Sequence, residues 1–127
     1  MRRGLALAAS AVISAALLSA CFTNGTALAK QACGSIDLAI HDYRTAAKQT
    51  GEPAAQLRAR ANRHLMDAQA LAAKATSADG TWNAMMTILQ ERNKVGVERV
   101  LPLLVGNCKL ARSSTPYLIP SKAGTQP

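Results

Sequence analysis

The sequence predicts an all-α fold, a small antiparallel up-down four-helix bundle closed by one disulfide. Three observations predict it. Alanine is abundant, aromatic residues make up only 3% of the 127, and no stretch alternates apolar and polar side chains with the period of a strand. Between residues 32 and 112 the apolar positions instead recur every three or four residues, in four blocks parted by short breaks rich in Gly, Asn, Asp or Pro. Cysteines stand near the start of the first block and the end of the last, at Cys33 and Cys108.

The first helix is expected over 33–49, with Ser35 as its cap and Ile36, Ile40, Tyr43 and Ala47 on one face. Thr50-Gly51-Glu52-Pro53 closes it, since Gly suits the position after a helix and Pro the first turn of the next. The second is expected over 53–76, where Leu57, Ala61, Leu65, Ala68, Leu71, Ala72 and Ala75 share a face. Ser77-Ala78-Asp79-Gly80 follows, with Asp79 or Thr81 as the next cap. The third spans 81–92, with Trp82, Met85, Met86 and Leu89 inward, and Asn93-Lys94-Val95-Gly96 breaks it. The fourth spans 97–111, with Val97, Leu101, Leu104, Val105 and Cys108 on one side. Pro102, which lacks an amide donor, either bends this helix or sets its start near Glu98.

Breaks this short force neighbouring helices to run antiparallel. In an up-down-up-down bundle the first helix then starts where the fourth ends, which brings Cys33 beside Cys108. That juxtaposition, in an oxidising compartment, predicts a disulfide.

The compartment is read from the N-terminus. Met1-Arg2-Arg3 is basic, and residues 4–20 are uncharged and apolar, the layout of a secretory signal peptide. The run lies at the lower edge of what spans a bilayer, and the small residues after it favour removal over a transmembrane anchor. Leu18-Ser19-Ala20-Cys21 closes the run and resembles the lipobox of bacterial lipoprotein precursors. That resemblance implies a cut before Cys21 and a lipid on its thiol, with acyl chains such as palmitate holding the protein to the membrane. Ala27-Leu28-Ala29 is the second candidate site, and a cut there releases a secreted product. The expected organisation is a signal peptide over 1–20, a flexible tether over 21–31, the helical domain over 32–112 and a disordered tail over 113–127. Asn24-Gly25-Thr26 matches a glycosylation sequon, to which a bacterial lipobox gives little weight.

The helical part, from Trp82 through Met85-Met86, Leu89, Asn93, Val95 and Val97 to Cys108, resembles small alanine-rich exported proteins of actinobacteria. The resemblance covers about residues 32–112. It implies a helical fold and brings no activity with it.

Charge bounds the partners. Removing residues 1–20 takes away Arg2 and Arg3, so Lys plus Arg falls from 15 to 13 against 7 acids, a net charge of +6. Outside the cell this points away from nucleic acid and toward another envelope protein, anionic lipid or acidic wall polymers, or simply to a solvated basic surface. There is no GxSxG, P-loop, HxxxH or CxxC, and the seven acids are scattered. The expectation is therefore a non-enzymatic envelope protein of interaction type, with no catalytic residues, no metal site and no cofactor.

Two weak site candidates remain. His64 falls on the inward face of the second helix and Tyr43 on that of the first, so a carrier of haem or an apolar molecule would place its ligand there. The plainer alternative for His64 is a packed imidazole paired with Asp37, which lies level with it. Arg58, Arg60 and Arg63 cluster on the second helix as a possible anion site, against the plainer alternative of a solvated face with an Arg63–Asp67 pair.

Overall fold

A computed structural model describes residues 24–113 as helices throughout. They are α1 (Gly25–Ala46), α2 (Gly51–Ala78), a single 3-10 turn (Gly80–Trp82), α3 (Asn83–Val95) and α4 (Val97–Ser113). Among the described residues there is no strand, and no helix is long and apolar enough to cross a membrane. The expected signal peptide over 1–20, the expected lipid-bearing Cys21 and residues 114–127 lie outside the described residues.

α1 begins well before the expected start. Asn24 is extended, and its Oδ1 accepts a hydrogen bond from the Ala27 amide at 2.6 Å, the geometry of a helix cap. Residues 25–31 are therefore helical, not a flexible tether, and Ser35 lies inside the helix rather than capping it. The polar, turn-prone composition around Asn24 is equally that of a cap, because a short amide side chain competes for backbone donors in either setting. At the other end α1 stops at Ala46, which leaves Ala47 exposed rather than inward.

The later boundaries shift less. α2 starts at Gly51 with Pro53 in its first turn, where a missing amide donor costs no helical bond. Asp79 caps the 3-10 turn, its Oδ1 accepting from the Thr81 amide at 2.9 Å. The expected four-residue break at 93–96 shrinks to Gly96, whose φ of 86° is a conformation that side-chain-bearing residues resist. α4 continues through Pro102, which forgoes the bond its amide would have made to the Glu98 carbonyl.

The closest packing joins α1 to α2, the most extensive helix pair in the fold. Gly25, Ala32, Ala39 and Ala46 recur every seven residues on α1, and Ala54, Ala61, Ala68 and Ala75 do so on α2. All eight are buried. A seven-residue repeat keeps one seam facing the partner helix, and small residues along it let the backbones approach. Contact is tightest at Gly25, where an added Cβ would stand 2.8 Å from the Ala75 carbonyl oxygen and 2.7 Å from Asp79 Cβ.

The bulk of the core lies on the other side of this pair. Ile36, Leu65, Trp82, Met85, Leu89, Val100 and Leu104 fill it, with Trp82 the largest buried side chain. Val100 and Ala111 join the expected inward residues of α4, while Val97, Leu101 and Val105 are only partly buried. The backbones of α1 come close to those of α2 and α4, and those of α3 to α2 and α4, while the diagonal pairs make no such close backbone approach, so the helices surround one core. The disulfide joins the first helix to the last: Cys33 on α1 is bonded to Cys108 on α4, with 5.5 Å between the Cα atoms.

Two stability measurements test this account. The disulfide closes a loop of 75 residues, for which chain entropy gives about 4 kcal/mol. Reduction or Cys33→Ser should lower the melting temperature sharply, and an unchanged melt would remove the bridge from the stability of the fold. Overpacking the seam with Ala39→Leu or Ala68→Leu should cost about 1–3 kcal/mol each. Ala70→Leu, on the exposed side of α2, should be near neutral; equal effects at all three positions would show that the α1–α2 approach is not size-limited.

Candidate functional site

Two polar features interrupt the α1–α2 interface. The first is Asp42, the one buried charged residue among those described. Its carboxylate is gripped at both oxygens by Arg60 of α2, with Nε to Oδ2 at 2.7 Å and Nη2 to Oδ1 at 2.6 Å. Such a fork-to-fork pair satisfies a carboxylate that burial would otherwise leave unsolvated. His64, one turn beyond Arg60 on the same face of α2, places Nε2 3.7 Å from Asp42 Oδ2. The Arg60 hydrogen bond holds the Asp42 carboxyl below the usual carboxylate range, and it outweighs burial, which acts in the opposite direction.

This corrects two expectations. His64 faces Asp42, not Asp37. Asp37 lies five residues and so about 140° around α1 from Asp42, and it pairs with Arg112 of α4 instead. The Arg58, Arg60 and Arg63 cluster is also divided. Arg60 is committed to Asp42, Arg63 lies with it along an open pocket of about 560 Å³ beside Gln49 and Pro53, and Arg58 faces another side of α2. No Arg63–Asp67 ion pair forms among the described residues.

The second feature is a cleft of about 540 Å³ between α1, α2 and α4. Its apolar wall is Ile40 of α1 and Ala47 just past its end, with Leu101, Pro102 and Val105 of α4, and the charged groups on it are Arg44, Arg58 and Glu98. Tyr43 lies between wall and rim. Its hydroxyl donates to Asn62 Oδ1 at 3.0 Å, and burial, helped by Glu98, raises its pKa, so the phenol stays neutral at physiological pH. His64 does not line this cleft. Tyr43 and His64 therefore do not converge on one ligand, because adjacent α1 positions point Asp42, with His64, and Tyr43 in directions about 100° apart.

Among the described residues no group of three or more His, Cys, Asp or Glu is placed to hold a metal ion. His41 is exposed, as expected of a surface histidine. What sequence reasoning missed is Asp42. Its signal was an acid within the apolar stripe of the first helix, two residues past Ile40, with Arg60 available on the helix that follows.

Acid titration tests the buried pair. Because the Asp42 pKa is depressed by folding, its stabilisation is present above the unfolded carboxylate value of about 3.9 and is lost as pH falls through the lower folded value. The melting temperature should thus fall steeply below about pH 4. Asp42→Asn should melt lower at neutral pH and show a shallower acid decline; a parallel decline in both proteins would assign the effect to other acids, Asp79 first among them.

Comparison of the chain with family models, with curated proteins and with solved structures returns no match.

Proposed function

We propose that the chain is an exported, non-enzymatic envelope protein of binding type, cut before Cys21 and held by a lipid on that residue at the outer face of the cell membrane. The observation that carries this is where the packed domain begins. Asn24 caps α1, Gly25 lies against Ala75 and Asp79, and Ala29 is fully buried. A cut after Ala29 would remove all three from the α1–α2 seam. A cut before Cys21 leaves the seam whole, with only residues 22 and 23 between the lipid and the cap. The Cys33–Cys108 bridge agrees with an oxidising location. An antiparallel up-down course is the arrangement we infer for the bundle, supported by Gly25 meeting the end of α2 while Asp42 meets Arg60 nearer its start.

The Tyr43 cleft favours a second proposal, a small-ligand carrier for haem or an apolar molecule. Its volume of about 540 Å³ falls within the range of roughly 300–1,000 Å³ typical of ligand pockets. Tyr43 is the residue there able to ligate haem iron. A Soret band on haem titration that disappears in Tyr43→Phe would establish that reading.

Intact mass of the protein purified from its host tests the first proposal. The expected species starts at Cys21, carries a diacylglyceryl group or more, and has two hydrogens fewer than the reduced chain. A chain starting at Lys30, or one keeping Met1 with free thiols, would overturn it.

A further inference from the structure

We propose that the Tyr43 cleft binds a single-chain anionic amphiphile, its apolar chain along Leu101 and Val105 and its carboxylate or phosphate head between Arg44 and Arg58. This deepens the binding role proposed above and rests on the cleft being the binding surface.

The argument is one of charge and shape. The wall is aliphatic on both sides, from Ile40 of α1 and from Leu101 and Val105 of α4, and these side chains are only partly buried or just covered. An acyl chain laid there removes more of their surface from water, which is the main favourable term in such binding. Pro102 contributes ring carbons and no backbone donor, so this stretch of wall makes no polar demand on the chain.

The head-group end is positive. Two guanidinium groups stand against one carboxylate, Glu98, and among the described residues neither Arg44 nor Arg58 has an ion-pair or side-chain hydrogen-bond partner. By contrast Arg60, Arg92 and Arg112 are each engaged with a side chain of another helix. Arg44 comes from α1 and Arg58 from α2, so a carboxylate or phosphate between them gains charge-assisted hydrogen bonds from both. Tyr43 adds no negative charge, since its hydroxyl keeps its proton and donates it to Asn62. A cationic head would meet two like charges, and an uncharged one would leave both guanidinium groups unused.

The test is calorimetric titration of the purified chain from residue 22 onward, which keeps every described helix and the disulfide and lacks the apolar leader, using decanoate, decyl phosphate, decanol and decyltrimethylammonium below their micelle concentrations. Decanoate and decyl phosphate should bind, decanol about tenfold more weakly, and the cation not measurably. Arg44→Ala and Arg58→Ala should each weaken decanoate about threefold, which together accounts for its advantage over decanol, and leave decanol unchanged. Glu98→Gln should tighten decanoate. Chemical-shift mapping on the unmutated chain supplies a measurement independent of any variant's folding. Decanoate should move the Leu101 and Val105 methyl signals and leave Val95 and Leu103, on the α3–α4 groove, in place. Equal affinity for decanol and decanoate, indifference to both arginine substitutions, or shifts confined to Val95 and Leu103 would each overturn the proposal. None of these outcomes bears on export, which the intact mass decides separately.

Discussion

The distance between α1 and α2 conditions the rest of this fold. Two helices meeting along Gly25, Ala32, Ala39 and Ala46 on one side and Ala54, Ala61, Ala68 and Ala75 on the other have no large side chain to hold them apart. Dispersion contacts then run backbone to backbone, and little rotamer entropy is lost because alanine has none to lose. The consequence is a thin seam that buries little apolar surface per residue. Volume has to be supplied elsewhere, and it comes from Trp82 of the 3-10 turn, Met85 and Leu89 of α3 and Leu104 of α4, and from Ile36 and Leu65 of the α1–α2 pair.

A close seam also decides how polar groups are tolerated. Asp42 sits on α1 facing α2 with little of its surface exposed, so its charge is met mainly from the protein. Arg60 meets it with both oxygens engaged, yet the guanidinium itself stays half exposed and keeps much of its hydration. The desolvation cost therefore falls mainly on one partner, which is the arrangement in which a partly buried pair is least costly. His64 completes the surroundings of the carboxylate without sharing the cleft of Tyr43. The disulfide acts at a distance from this pair, joining α1 to α4 and restricting the unfolded chain rather than adding packed volume.

Alongside the seam, between α1, α2 and α4, the protein has a surface to offer. α4 reaches α1 at the disulfide, and toward its start Leu101, Pro102 and Val105 are left partly open to solvent. The cleft thus lies where the closely packed α1–α2 pair meets α4, which the disulfide and the Arg112–Asp37 pair join to α1 toward its other end.

The helical class, the four segments, the inward faces of α2 and α3 and the Cys33–Cys108 pairing were all legible in the sequence, because periodicity and short connections are local properties that survive without coordinates. The early start of α1 was not, since Asn24-Gly25-Thr26 reads alike as a turn and as a cap, and only the packing of Gly25 on Ala75 and Asp79 selects the helix. With those residues assigned to a tether, the seven-residue ladder on α1 lost its first rung and stayed hidden. Tertiary structure alone decided the partners: His64 with Asp42 rather than Asp37, Arg60 removed from its neighbours Arg58 and Arg63, and Tyr43 on a cleft without His64. Spacing along a helix tells which residues share its face, but which face meets which neighbour depends on how the helices are rotated against one another, and that rotation is set by the packed seam as a whole.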